Sequence, residues 1–135
     1  MANKKELKRE YKENLRPMGI YQIRNLVNGK VLVEVAQDLP GIINGRKFAL
    51  SLGGHTNKAL QADWNEVGAE NFVFEILDEL APTGEAGANY RHELASLEEL
   101  WLEKLEPYGD RGYNEKKMSS EERLKRISQN RVAKS

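Results

Sequence analysis

Residues 19–35 read GIYQIRNLVNGKVLVEV, and this stretch decides the fold. Two β-branched and aromatic runs, Ile20–Ile23 and Val31–Val35, flank Asn28-Gly29, a strong hairpin signal. Asn and Gly tolerate positive φ, so the turn's twist can follow that of the strands. Alternation in the second strand sets Val31, Val33 and Val35 on one face, and Leu32 and Glu34 on the other.

After the hairpin, Asp38 is placed to cap a helix from about Leu39 to Leu50, with Pro40 in the first turn where its missing N–H costs nothing. Leu39, Ile42, Ile43, Phe48 and Leu50 are its apolar members, weakened by Gly41 and Gly45. Gly53-Gly54 breaks the chain. Asn57 starts a second helix that runs to about Val67, with Leu60 and Trp64 four apart, and Gly68 stops it. Residues 71–77 form a third strand in which Phe72, Phe74 and Ile76 alternate inward. The small, polar residues 81–89 read as a loop. The clearest helix follows, over about 90–105, where Leu94, Leu97, Trp101 and Leu105 repeat at three and four.

Two charged segments frame this core. Residues 3–15 favour a lead-in helix ended by Pro17, and Ser119 with Glu122 makes a capping box for a short closing helix. The order ββααβα, with an antiparallel hairpin, predicts an α+β fold built on a small three-stranded antiparallel sheet flanked by helices. The expected division is a lead-in over 1–16, one domain over 17–114 and a basic tail over 115–135.

At 135 residues the chain is long enough for one domain with a real core. No apolar run approaches the ~20 residues of a membrane span, and the amino terminus has no signal-like apolar region. The absence of cysteine suits a cytoplasmic location, and with His55 and His92 as the only histidines zinc is not expected. Zero net charge conceals an uneven distribution. Residues 1–16 hold six Lys/Arg against three Glu, and residues 115–135 seven against three, leaving eight basic and 15 acidic residues in between. Basic ends read as phosphate-seeking arms or as ordinary solvated termini; an acidic middle is a poor cradle for duplex DNA.

Gly19-Ile20-Tyr21, Asn28-Gly29-Lys30, His55-Thr56-Asn57-Lys58-Ala59-Leu60-Gln61, Asp63-Trp64, Asn71-Phe72-Val73-Phe74-Glu75, Glu98-Glu99-Leu100-Trp101-Leu102 and Gly112-Tyr113-Asn114 follow one another as in the GIY-YIG nuclease family. The resemblance spans about residues 17–114 and suggests a bacterial or phage source. It implies a domain that hydrolyses DNA phosphodiesters with one divalent cation, Mg²⁺ or Mn²⁺. A tyrosine helps deprotonate the attacking water, a helix arginine braces the phosphate, a glutamate on the late helix holds the metal, and a terminal asparagine supports the site. A fixed cation and a metal suit a transition state that gains negative charge on its phosphoryl oxygens. One carboxylate suffices for Mg²⁺, which otherwise keeps its waters.

Carried over by position, Tyr21 matches the first tyrosine, Glu98 the metal-binding glutamate and Asn114 the asparagine. Without the resemblance, Tyr21 reads as a cross-strand aromatic, Glu98 as one more charge in an acidic run, and Asn114 as a turn residue. Three family groups are lost. Leu32 stands where the second tyrosine belongs, Glu34 where a glycine follows it, and Ile42 where the arginine falls. Leu32 moves no proton. A carboxylate at Glu34 repels a phosphate unless a metal lies between them. Arg46 sits one helical turn after Ile42 and is the candidate replacement cation.

Loss of one preorganised charge donor costs about 10²–10³ in rate. The favoured expectation is therefore a catalytically weak or inactive nuclease-like domain that still binds nucleic acid. The alternatives are an active endonuclease with a rearranged site, and a protein-interaction module. Tyr21 and Glu98 are expected to face one another across a shallow groove.

Overall fold

The computed structural model describes residues 16–81 and 89–116. The lead-in helix, most of the 81–89 loop and the closing helix from Ser119 lie outside the described residues. Three strands, β1 (Met18–Asn25), β2 (Val31–Ala36) and β3 (Phe72–Leu80), form one antiparallel sheet in the order β2-β1-β3. Helix α1 (Leu39–Leu52) and helix α2 (Lys58–Val67) lie between β2 and β3 in the chain, and helix α3 (Arg91–Leu105) follows β3. This is the α+β arrangement expected, in the expected order.

The hairpin forms, but its connection is longer than Asn28-Gly29 alone. The Gly29 amide donates to the Asn25 carbonyl at 2.8 Å and the Asn25 amide to the Lys30 carbonyl at 2.9 Å. Gly29, at φ 79°, takes the left-handed conformation, and the Asn28 side chain accepts from the Lys30 amide at 2.9 Å. The register then pairs Tyr21 with Glu34 and Ile23 with Leu32.

Period-two alternation sorts the sheet's side chains into two cores. Tyr21, Ile23, Leu32 and Phe72 pack with Leu39 and Leu50 of α1, Leu60 of α2, and Tyr113. Ile20, Val31 and Val33 pack on the other face with Leu97, Trp101, Leu102 and Leu105 of α3. Each cap is built as the sequence suggests. Asp38 Oδ1 accepts from the Gly41 amide at 3.2 Å, and Asn57 Oδ1 from the Leu60 amide at 3.0 Å. Gly53, at φ 80°, closes α1 in the left-handed conformation.

One expectation needs correction, and one apolar member of α1 lies outside the core. Phe48 is 68% exposed. It lies half a turn from the Leu39–Leu50 line, because nine residues at 100° each bring it to the far side of the helix. Ile76 is 50% exposed. It pairs with Tyr21 on an edge strand, beyond the cover that α1 and α2 give Phe72 and Phe74, and a bulge follows it. Alternation already turns Leu77 toward the α3 core, and the bulge brings Asp78 to the same face, where its Oδ2 accepts from Trp101 Nε1 at 3.2 Å. Gly19 lies where β1 and β3 approach so closely that a methyl group there would run into the Asp78 carbonyl.

The outer edge of β2 is covered by the segment after α3. Gly112 bridges Val31 in parallel, and the Tyr113 amide donates to the Val31 carbonyl at 2.9 Å. No helix among the described residues is long and apolar enough to cross a membrane.

Candidate functional site

Tyr21 stands on the central strand, so both its strand edges are paired and helices cover its ring. It is 0% exposed. Its hydroxyl reaches across one strand and donates to Glu34 Oε2. Arg46 comes down from α1 onto the same oxygen, its Nε 3.1 Å away. Burial first, then the bond to Glu34 and its charge, push the Tyr21 phenol far above its ordinary value. The Glu34 carboxylate likewise holds Arg46 above its usual value, against a smaller opposing effect of burial. Phenol, carboxylate and guanidinium thus form one closed unit.

Leu32 and Ile42 line the ground around this unit with aliphatic surface. Leu32 is 5% exposed within the α1–α2 core, and Ile42 packs against that core from α1. Neither supplies a proton or a charge.

His55, absent from the sequence-based site, lies beside it. The ring is 7% exposed, and its Nδ1 accepts from the Asn57 amide at 2.9 Å. That bond leaves the neutral ring's proton on Nε2, which is buried without a partner among the described residues. Burial, foremost, and the nearby Arg46 hold the ring's pKa below its ordinary value, with Glu34 pulling the other way. Gln61 fixes this loop, accepting from the His55 amide at 3.0 Å and donating to the Leu50 carbonyl at 3.0 Å. A cavity of about 540 Å³ is lined by Leu32, Glu34, His55, Lys58, Tyr113 and Glu115, among others. The available signal was the match through His55-Thr56-Asn57; a histidine within it, next to a helix start, fits a buried donor.

Glu98 belongs to the opposite side of the sheet. It stands on α3 next to the buried Leu94 and the half-buried Leu97 and Trp101, and lines a cleft of about 770 Å³ with Glu99, Leu102, Asn114 and Glu115. Asn114 is bound to the β2 backbone. Its Oδ1 accepts from the Val33 amide at 2.8 Å and its Nδ2 donates to the Val33 carbonyl at 2.9 Å. The side-chain amide therefore completes the ladder on an edge that would otherwise be open.

The predicted residues come together as two pairs. Tyr21 meets Arg46 through Glu34, and Glu98 shares a cleft with Asn114. Glu115 lines both the cleft and the His55 cavity, so the two meet near the outer edge of β2. The shallow groove expected between Tyr21 and Glu98 gives way to a buried phenol, because a residue on the central strand is covered and its hydroxyl ends on its cross-strand neighbour. Among the described residues, no three His, Cys, Asp or Glu side chains come together as a metal-binding group.

The catalytic domain of homing endonuclease I-TevI superimposes with a TM-score of 0.61 at 29% identity, over 74% of this chain and 99% of that one. This is a GIY-YIG-like domain. A mutant of the catalytic domain of intron endonuclease I-TevI agrees, with a TM-score of 0.60 at 28% identity, over 76% of this chain and 97% of the other. No protein-family model matches the GIY-YIG-like chain, and no curated protein matches it. The likeness thus rests on shape and on about three residues in ten, with Leu32, Glu34 and Ile42 as this chain's own departures.

Proposed function

We propose that this GIY-YIG-like domain is a nuclease-derived module that binds nucleic acid, DNA in the first instance, with little or no cleavage. One observation carries the reading: Glu34 engages both the Tyr21 hydroxyl and the Arg46 guanidinium. A phenol that is buried, donating and strongly raised in pKa is a poor acceptor for a water's proton. A guanidinium already neutralised by a carboxylate is a weak brace for a phosphate. Leu32 and Ile42 restore neither function.

The α3 cleft fits a cation held by one carboxylate: Glu98 would bind Mg²⁺ or Mn²⁺ there, with water on the remaining positions. Such an ion, when bound, polarises a phosphoryl oxygen. This chain's contribution would be to hold the edge of β2 through Asn114. On the α1 side of that edge, Arg46 would stay paired with Glu34.

Binding is assigned to the basic segments 1–16 and 115–135, which flank an acidic body and suit counterion release from a phosphate backbone. The test is a pair of assays on the full chain. Plasmid and branched DNA should stay uncut with Mg²⁺ or Mn²⁺, while gel shifts should reveal binding that falls with salt and with removal of residues 115–135. Metal-dependent nicking abolished by Glu98→Ala would establish the active enzyme instead. Absence of binding even at low salt would leave a protein partner as the ligand.

A further inference from the structure

Helix α3 changes the sign of its charge along its length. Arg91 opens it, and Glu98, Glu99, Glu103 and Glu106 line the cleft at its later turns and end. Three hollows follow one another along this side. The first, of about 460 Å³, is lined by Asn89, Arg91, His92 and Ala95. The second, of about 330 Å³, lies between α3 and the end of β2 and is bounded by both Arg91 and Glu98. The third is the cleft of about 770 Å³ that Glu98 lines. Ala95 borders all three, so they form one groove with Arg91 at its mouth. Seven residues separate Arg91 from Glu98, two helical turns less about 20°, so the two share a side of α3 about 10 Å apart.

Stability does not account for this arginine. Arg24, Arg46 and Arg111 are paired with Glu75, Glu34 and Glu106, whereas Arg91 makes no ion pair among the described residues. It is exposed, and as the first residue of α3 it sets a positive charge at the positive end of the helix dipole. Its contribution to the fold is its backbone amide, which donates to Asn89 Oδ1 at 2.9 Å. Any residue but proline would make that bond.

We propose that Arg91 is a phosphate-contact residue for nucleic acid, holding one backbone phosphate at the mouth of the α3 groove and leading the strand along the helix toward Glu98. The inference rests on the nucleic-acid-binding reading above and deepens it, by naming a contact inside the acidic body rather than in the basic ends. A guanidinium presents paired N–H donors to two phosphate oxygens, and no ion pair has to open before Arg91 does so. The distance to Glu98 matches about three steps of 3.4 Å along one strand, so a strand seated on Arg91 reaches the cleft. Past Glu98, the carboxylates of Glu103 and Glu106 repel a phosphate backbone, so the strand meets the groove from the Arg91 end.

The experiment titrates a fluorescein-labelled DNA duplex with the full chain and reads anisotropy over a series of salt concentrations. It compares the parent protein with Arg91→Gln, Arg91→Lys and Arg24→Gln. Arg91 is exposed, so its substitution leaves the core intact. Arg91→Gln should bind about tenfold more weakly at low salt, the size of one charge-assisted contact. Its plot of log affinity against log salt should be shallower by about 0.9, the share of one phosphate. Arg91→Lys keeps the charge and should keep the slope. Arg24→Gln removes the same charge outside the groove and should change neither quantity. In NMR spectra of the parent, the Arg91 Nε–H should shift when the duplex is added. The proposal is overturned if Arg91→Gln keeps the parent's affinity and slope, or if Arg24→Gln loses as much, which would make the effect one of net charge. In both cases the parent still binds and the nucleic-acid reading stands. A parent that does not bind even at low salt overturns both.

Discussion

Tyr21→Phe removes one hydroxyl from a fully buried ring and leaves the ring's packing in place, so it isolates the bond to Glu34. Hydrogen bonds to charged groups contribute about 1.5–3 kcal/mol. Here the acceptor keeps Arg46, and its side chain is 25% exposed, so water can take part of the phenol's place. The expected loss is therefore near the lower end of that range, about 1–2 kcal/mol. It should appear as a lower denaturant midpoint with an unchanged slope. Glu34→Gln and Tyr21→Phe/Glu34→Gln complete a cycle, in which the two positions should couple by about 1 kcal/mol. The pH dependence has a defined sign. The unfolded phenol ionises near 10 while the folded one holds its proton to much higher pH, so its stabilisation is full below about pH 10 and is lost above it. Tyr21→Phe should flatten that alkaline loss. A variant within about 0.3 kcal/mol of the parent, with additive effects in the cycle, would refute the closed unit of phenol, carboxylate and guanidinium.

Tyr113 is held in the same manner by Asp63, to which its hydroxyl donates at 2.7 Å. Burial first, then that bond, push it up to about 12, so absorbance titration should find one phenol ionising near that value, and Tyr113→Phe should remove it. Its stabilisation is full below about pH 10 and fades toward pH 12, so the alkaline melting curve should flatten in the variant. Asn114→Ala deletes two bonds to Val33 and should cost about 1–3 kcal/mol, with faster hydrogen exchange at the Val33 amide. Leu60→Ala opens a hole where α2 meets the sheet and should cost about 2–5 kcal/mol in a denaturant melt, without altering the α3 cleft.

The elements themselves were legible because their signals are local. Asp38 and Asn57 mark helix starts through bonds made within three residues, and Gly53 and Gly68 mark ends through backbone freedom. The Leu94–Leu97–Trp101–Leu105 repeat placed α3 correctly, since a stripe at three and four has one reading. Ile76 misled because an apolar residue on an edge strand says nothing of how far the covering layer reaches.

Local chemistry and a family resemblance along the chain were enough for the order of elements, the hairpin and the candidates Tyr21, Arg46, Glu98 and Asn114. Which of these meet depends on distances set across the sheet. A two-residue turn at Asn28-Gly29 would have put Tyr21 opposite Ala36, whereas the connection from Leu26 to Lys30 puts it opposite Glu34. Glu34 therefore reads along the chain as a charge that repels phosphate, and in the fold as the shared partner of the Tyr21 hydroxyl and the Arg46 guanidinium. His55 became visible for a similar reason. An unpaired ring nitrogen is a property of the surrounding packing, which no single stretch of residues encodes.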